Sequence, residues 1–145
     1  MNQIEKQIAE RIDQFADDIL DFTCRLVAEP STLENEAAVM ALMESELNKL
    51  SFDPYRVAID PVKLSKHPGF ALVPWSYEGR YNVAAKREAS AEGGRSVIFN
   101  GHLDVVSAEP LGLWGTDPFN PVERDGWLYG RGAGDMKSGV AAMTY

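Results

Sequence analysis

Apolar residues open the chain at Ile4, Ile8, Ile12, Phe15, Ile19, Phe22 and Leu26, each three or four positions after the last. That spacing predicts one long amphipathic helix. Its other face carries Glu5, Lys6, Glu10, Arg11, Asp13 and Asp17. The polar face is acidic rather than basic, so a helix packed on its own core is favoured over one lying on a membrane or a partner. Pro30 ends the element. Ser31-Thr32-Leu33-Glu34 has the form of a capping box, in which Ser31 and Glu34 satisfy free amides. A second helix is predicted from about Asn35 to Leu50, with Val39, Leu42, Met43, Leu47 and Leu50 as its apolar set and Ser51 to Pro54 as its break.

The pattern then changes period. Tyr55 to Ile59 alternates and reads as a short strand. Residues 61–79 hold Pro61, Pro68, Gly69, Pro74 and Gly79 and are predicted irregular. Tyr81 to Arg87 and Ser96 to Asn100 are two further strand-like runs, separated by turn chemistry from Glu88 to Arg95. Val97-Ile98-Phe99 is consecutively apolar, as in a strand covered on both faces. Pro121 to Tyr129 reads as a hairpin turning at Asp125-Gly126, and Met136 to Tyr145 as a helix. That helix has no stop signal before the last residue, which leads us to expect a portion of a larger domain. The alternation of helices and strands argues for an α/β layer architecture, in which chemistry gathers beyond the carboxyl ends of strands. His102 stands just there, after Val97 to Phe99.

Charge narrows the function classes. The chain has 145 residues and a net charge of -8 with no basic block, so a phosphate backbone would be repelled and nucleic acid is not an expected partner. No run approaches the roughly 20 apolar residues needed to span a bilayer, and the first residues lack a basic start followed by an apolar stretch. A cytoplasmic protein without membrane contact is the expectation. Cys24 is the single cysteine, so an internal disulfide is excluded, and it reads as a small buried thiol in a helix. His67, beside Pro68, reads as a solvated loop residue.

Three residues carry candidate chemistry. On an extended chain, His102 and Asp104 point to the same side. A neutral imidazole binds a metal through one nitrogen while a carboxylate holds the other N–H. Taken alone, the pair reads more readily as a hydrogen-bonded histidine at a capped strand end. Asp135 follows the glycine-rich run Gly130 to Gly134, where small residues let the backbone approach a metal closely. One carboxylate can bridge two cations about 3.5–4 Å apart, or serve as a simple helix N-cap. The run lacks the spacing of a Walker or dinucleotide-binding loop.

In combination these segments are specific. Ser96 to Val106, containing Gly101-His102-Leu103-Asp104-Val105, resembles the first signature of the zinc hydrolases that include acetylornithine deacetylase, succinyl-diaminopimelate desuccinylase, aminoacylase and several di- and carboxypeptidases. Trp114 to Phe119 and Gly126 to Gly139 resemble the second, and Pro30-Ser31, Glu36 and Gly79 to Val83 are similar to lesser family features. The stretch from His67 to Phe70 through Tyr77 to Arg80 is similar to the deacetylase and desuccinylase branch. The resemblance implies a three-layer α/β zinc-exopeptidase-like catalytic domain, a mixed sheet flanked by helices, of which residues 1–145 form the N-terminal portion. It implies that His102 binds one zinc ion, that Asp135 bridges two, and that Asp104 acts in catalysis by holding the imidazole. Cobalt or manganese are alternative metals. Lys137 and Arg131 are implied as nearby support, and the Asp135-Met136 peptide is implied to be cis. Ser138 stands where the family often has glycine.

The same resemblance implies what residues 1–145 lack. A Glu-Glu pair supplies the general base and a ligand in the family, and no such pair occurs here. Further ligands and a lid or dimerisation domain are also implied downstream. A whole protein is therefore expected to be a homodimeric metal-dependent hydrolase of an amide bond in an N-acyl amino acid or small peptide. Residues 1–145 alone are expected to be inactive and to bind zinc weakly or not at all. The alternative is a non-catalytic truncated module that reuses the fold.

Overall fold

A computed structural model describes residues 2–89 and 93–145. The elements are α1 (Gln3–Asp13), α2 (Ala16–Ala28), α3 (Ala37–Lys49), β1 (Tyr55–Ala58), α4 (Pro61–Leu64), β2 (Tyr81–Ala84), β3 (Val122–Arg124), β4 (Trp127–Tyr129) and α5 (Ser138–Thr144). A 3-10 turn at Leu111–Leu113 and a wide turn at Ala133–Lys137 complete the set. The chain divides into two compact units, residues 1–39 with 96–145, and residues 40–95. No helix among the described residues is long and apolar enough to cross a membrane.

The first unit holds the candidate residues. Its N-terminal helical pattern is cut in two rather than continuous. Asn2 and Glu5 form a reciprocal capping box for α1. The Phe15 amide then bonds the Ile12 carbonyl in a tighter i to i-3 turn, and α2 restarts at Ala16. The stripe is correspondingly split in its environment. Phe22, Leu26 and Val27 of α2 are fully buried, whereas Ile4, Ile8 and Ile12 remain more than half exposed. Periodicity predicts which residues share a face, but packing decides whether that face is used. α2 packs against α5 and against the turn at 133–137, with Phe22 and Tyr145 rings 6.3 Å apart. Leu103, Val105, Ala108, Ala133, Val140 and Ala141 complete the core.

Two expectations fail in this unit. Ser31 does not cap the next helix, which begins only at Ala37. Its buried hydroxyl donates instead to the carbonyl of Leu103, a long-range bond that outcompetes local capping. The predicted strand at 96–100 has no ladder partner among the described residues, and Val97, Ile98 and Phe99 are 74%, 91% and 65% exposed. An apolar run becomes a strand only when a neighbour accepts and donates its backbone hydrogen bonds. The predicted hairpin is present: β3 pairs antiparallel with β4, Val122 opposite Tyr129, and Asp125 and Gly126 both take the positive φ of a two-residue turn.

In the second unit β1 and β2 pair antiparallel, with Tyr55 opposite Ala84 and Ala58 opposite Tyr81. The Arg56 guanidinium forms a two-pronged contact with Glu44 and lies 4.2 Å from the Tyr81 ring centre. The segment predicted irregular contains the short α4, whose first amides bond the Asp60 carboxylate. The turn predicted between Glu88 and Arg95 lies partly outside the described residues, at 90–92. The observed architecture is thus mixed helices with two small antiparallel sheets.

Candidate metal centre

His102 and Asp135, 33 residues apart, meet. The His102 Nε2 lies 3.2 Å from an Asp135 carboxylate oxygen. On the other side of the ring, Nδ1 is 3.1 Å from the backbone carbonyl of Asp104 and 3.4 Å from its carboxylate. The expected Asp104 contact is therefore shared between carboxylate and main chain, and the carbonyl is the nearer acceptor. Either acceptor holds a proton on Nδ1 and leaves the Nε2 lone pair turned towards Asp135.

That arrangement places two electron-pair donors face to face, a contact that needs a cation or a proton between them. Burial disfavours charge on His102, but the Asp104 carbonyl and carboxylate and the Asp135 carboxylate outweigh it, raising the imidazole pKa above its ordinary value. The same pair suits a metal. Donors about 2.0–2.2 Å from one tetrahedral cation stand about 3.3–3.6 Å apart, a little beyond the observed 3.2 Å. The Asp135 side chain is 90% exposed, which leaves its second oxygen open to a further partner. Two donors make part of a site, and no group of three or more His, Cys, Asp or Glu side chains suited to a metal occurs among the described residues.

The backbone that carries these groups is tightly fitted. A Cβ added at Gly101 would stand 2.7 Å from Val140 Cγ2, so the His102 segment lies against α5 only because residue 101 is glycine. Gly132, at φ +79°, would put a Cβ 2.5 Å from Val105 Cγ1. The Lys137 amide bonds the Gly132 carbonyl and closes the wide turn, within which the Asp135-Met136 peptide is cis.

Lys137 and Arg131 are more embedded than sequence alone indicates. Lys137 is fully buried, and Nζ donates to the carbonyls of Leu26 and Glu29 at 2.7 and 2.8 Å. Burial pushes its ammonium down to about 8, against the opposing effect of the Glu29 charge. Arg131 donates to the Ser107 carbonyl, lies 4.8 Å from the Trp114 ring centre, and has a buried Nε with no hydrogen-bond partner among the described residues. A recess of about 660 Å3 is lined by Thr32, Ser107, Glu109, Trp114, Thr116 and Phe119, among others. None of His102, Asp104 and Asp135 lines it; His102 and Asp135 meet by direct contact. Cys24 is partly exposed on α2, and His67 accepts from the Gly69 amide in its loop. The bond from Ser31 to Leu103 is not legible in the sequence, because nothing local distinguishes a capping serine from one that bonds residue 103.

Residues 98–145, from the His102 segment to the end of α5, match the model of peptidase family M20/M25/M40. A succinyl-diaminopimelate desuccinylase of Verminephrobacter eiseniae is 36% identical over 119 residues, 82% of this chain and 28% of that protein. Those of Bordetella pertussis and Stenotrophomonas maltophilia are 35% and 36% identical over 126 residues, 87% of this chain and 28% of each relative. The chain spans 28% of the length of these curated relatives. By sequence over most of its length, and by the family signature over its last third, this chain resembles the metallopeptidases of family M20/M25/M40.

Proposed function

We propose that residues 1–145 are the N-terminal portion of the catalytic domain of a metal-dependent amidohydrolase, with succinyl-diaminopimelate or a related N-acyl amino acid as substrate. The observation that carries this reading is the 3.2 Å approach of His102 Nε2 to the Asp135 carboxylate, with Nδ1 held from behind by Asp104. In this reading His102 and Asp135 would hold the zinc, with Asp135 shared between two ions, and Asp104 would fix the tautomer and orientation of His102. When bound, the metal pair lowers the pKa of water and polarises the scissile carbonyl. The chain's own contribution is to aim an imidazole and a carboxylate at one point and, by holding Nδ1 on Asp104, to turn Nε2 towards that point. Further ligands and the general base belong to the rest of the protein, as do the three-layer architecture, the homodimer and the cytoplasmic setting that the family resemblance implies.

The test is hydrolysis of succinyl-diaminopimelate by the whole protein before and after treatment with a chelator. Activity should vanish on metal removal, return with zinc or cobalt, and be lost in His102→Ala and Asp135→Ala. Undiminished turnover after complete metal removal would sink the reading. A protein with no hydrolytic activity on any N-acyl amino acid, whatever the metal, would favour the non-catalytic module. The absence of a three-ligand cluster among the described residues is the observation that keeps that alternative open for residues 1–145.

A further inference from the structure

The exit of α2 is touched by both halves of the candidate site. From one side comes Ser31, which is 1% exposed: its hydroxyl donates to the Leu103 carbonyl at 2.6 Å, and its carbonyl accepts from the Val105 amide at 2.9 Å. Those two bonds bracket Asp104 and immediately follow His102. From the other side comes Lys137, whose ammonium is bonded to Leu26 and Glu29, while its own amide closes the turn that holds Asp135.

A lysine that merely capped a helix end could do so from the surface, with its charge in water. Lys137 instead runs through the core to reach carbonyls more than a hundred residues away, at the cost of desolvating an ammonium. Ser31 likewise gives up the local capping role that its sequence context offers. The Lys137 side chain ends on residues 26 and 29, and the Ser31 side chain leaves the same stretch, 26–31, to reach Leu103.

We infer that Lys137 and Ser31 are positioning residues that fasten the Asp135 turn and the His102–Val105 segment to one platform, residues 26–31, and so set the separation of His102 and Asp135. The consequence for metal binding rests on the proposed function; the consequence for geometry does not. The test uses Lys137→Met and Ser31→Ala in the whole protein, with Phe22→Leu as a control that weakens the core of α2 away from the platform. Two quantities are measured: the His102 Nε2 to Asp135 oxygen distance in crystal structures, and Co2+ affinity by its visible absorption band. Lys137→Met and Ser31→Ala should move the pair out of contact and weaken Co2+ binding by about 10- to 100-fold, the usual effect of losing support behind a metal ligand. Phe22→Leu should leave both unchanged. An unmoved pair in the two variants, or an equal loss in the control, overturns the inference. If the unaltered protein binds no Co2+, the metal reading fails and the distances alone decide. If Lys137→Met does not fold, Ser31→Ala, which removes one hydroxyl, carries the test.

Discussion

At the scale of single residues, the candidate site is a matter of who donates a proton to whom. The contact between His102 and Asp135 is favourable only with a proton or a cation at Nε2. In metal-free protein the raised pKa of His102 means that the imidazolium stays charged to higher pH than an ordinary histidine. A raised histidine pKa adds stability below the unfolded value, near 6.5, and that contribution is lost as pH rises through the folded value. Asp135→Asn should therefore lower the His102 midpoint followed by proton NMR; an unchanged midpoint would show that Asp135 does not contribute to it. Cys24 makes an independent residue-scale prediction. Burial, with the charges of Asp21 and Glu123, raises its thiol pKa. Its thiolate fraction is correspondingly small, so at pH 8 it should react more slowly with a disulfide reagent than a cysteine in an unstructured peptide. Denaturation should abolish the difference.

At the scale of elements, the site depends on how closely the His102 segment approaches α5. Gly101→Ala would force a methyl to 2.7 Å from Val140 Cγ2 and 3.0 Å from Met143 Cε. Overpacking of this kind costs about 1–3 kcal/mol, which should appear as a lowered midpoint in denaturant unfolding with a largely unchanged slope. If Gly101→Ala is neutral, the packing of α5 on this segment is looser than described. The hairpin of β3 and β4 was legible because its turn chemistry is local: Asp-Gly favours two successive residues at positive φ. The division between α1 and α2 was not, because a three- or four-residue step is satisfied equally by one helix or by two. The stretch at 96–100 was misread for a related reason. Its apolar content is a property of the chain, but a strand is a property of a pair.

At the scale of the whole molecule, the exposed run Val97-Ile98-Phe99 lies just upstream of His102. Contiguous apolar surface of this kind promotes association. Residues 1–145 expressed alone should self-associate in sedimentation, and Ile98→Glu should shift them towards monomer; equal behaviour of the two would assign any association to another surface. The same polypeptide should bind zinc weakly by isothermal titration, since it brings together two of the three or four donors a zinc site uses. Tight stoichiometric binding would contradict the proposed ligand set.

The sequence by itself determined the chemistry-bearing residues, since their types and order around His102, Asp104 and Asp135 are covalent facts, and it determined the local elements, a two-residue hairpin and the helices of the 3.6-residue period. Only the tertiary structure decided that His102 Nδ1 faces the Asp104 carbonyl before its carboxylate, that Ser31 bonds residue 103 rather than the next helix, and that Lys137 is buried against the end of α2. The last two are contests between a near partner and a distant one. The distant one is brought within hydrogen-bond reach only when α2, α5 and the Asp135 turn bury their apolar faces together.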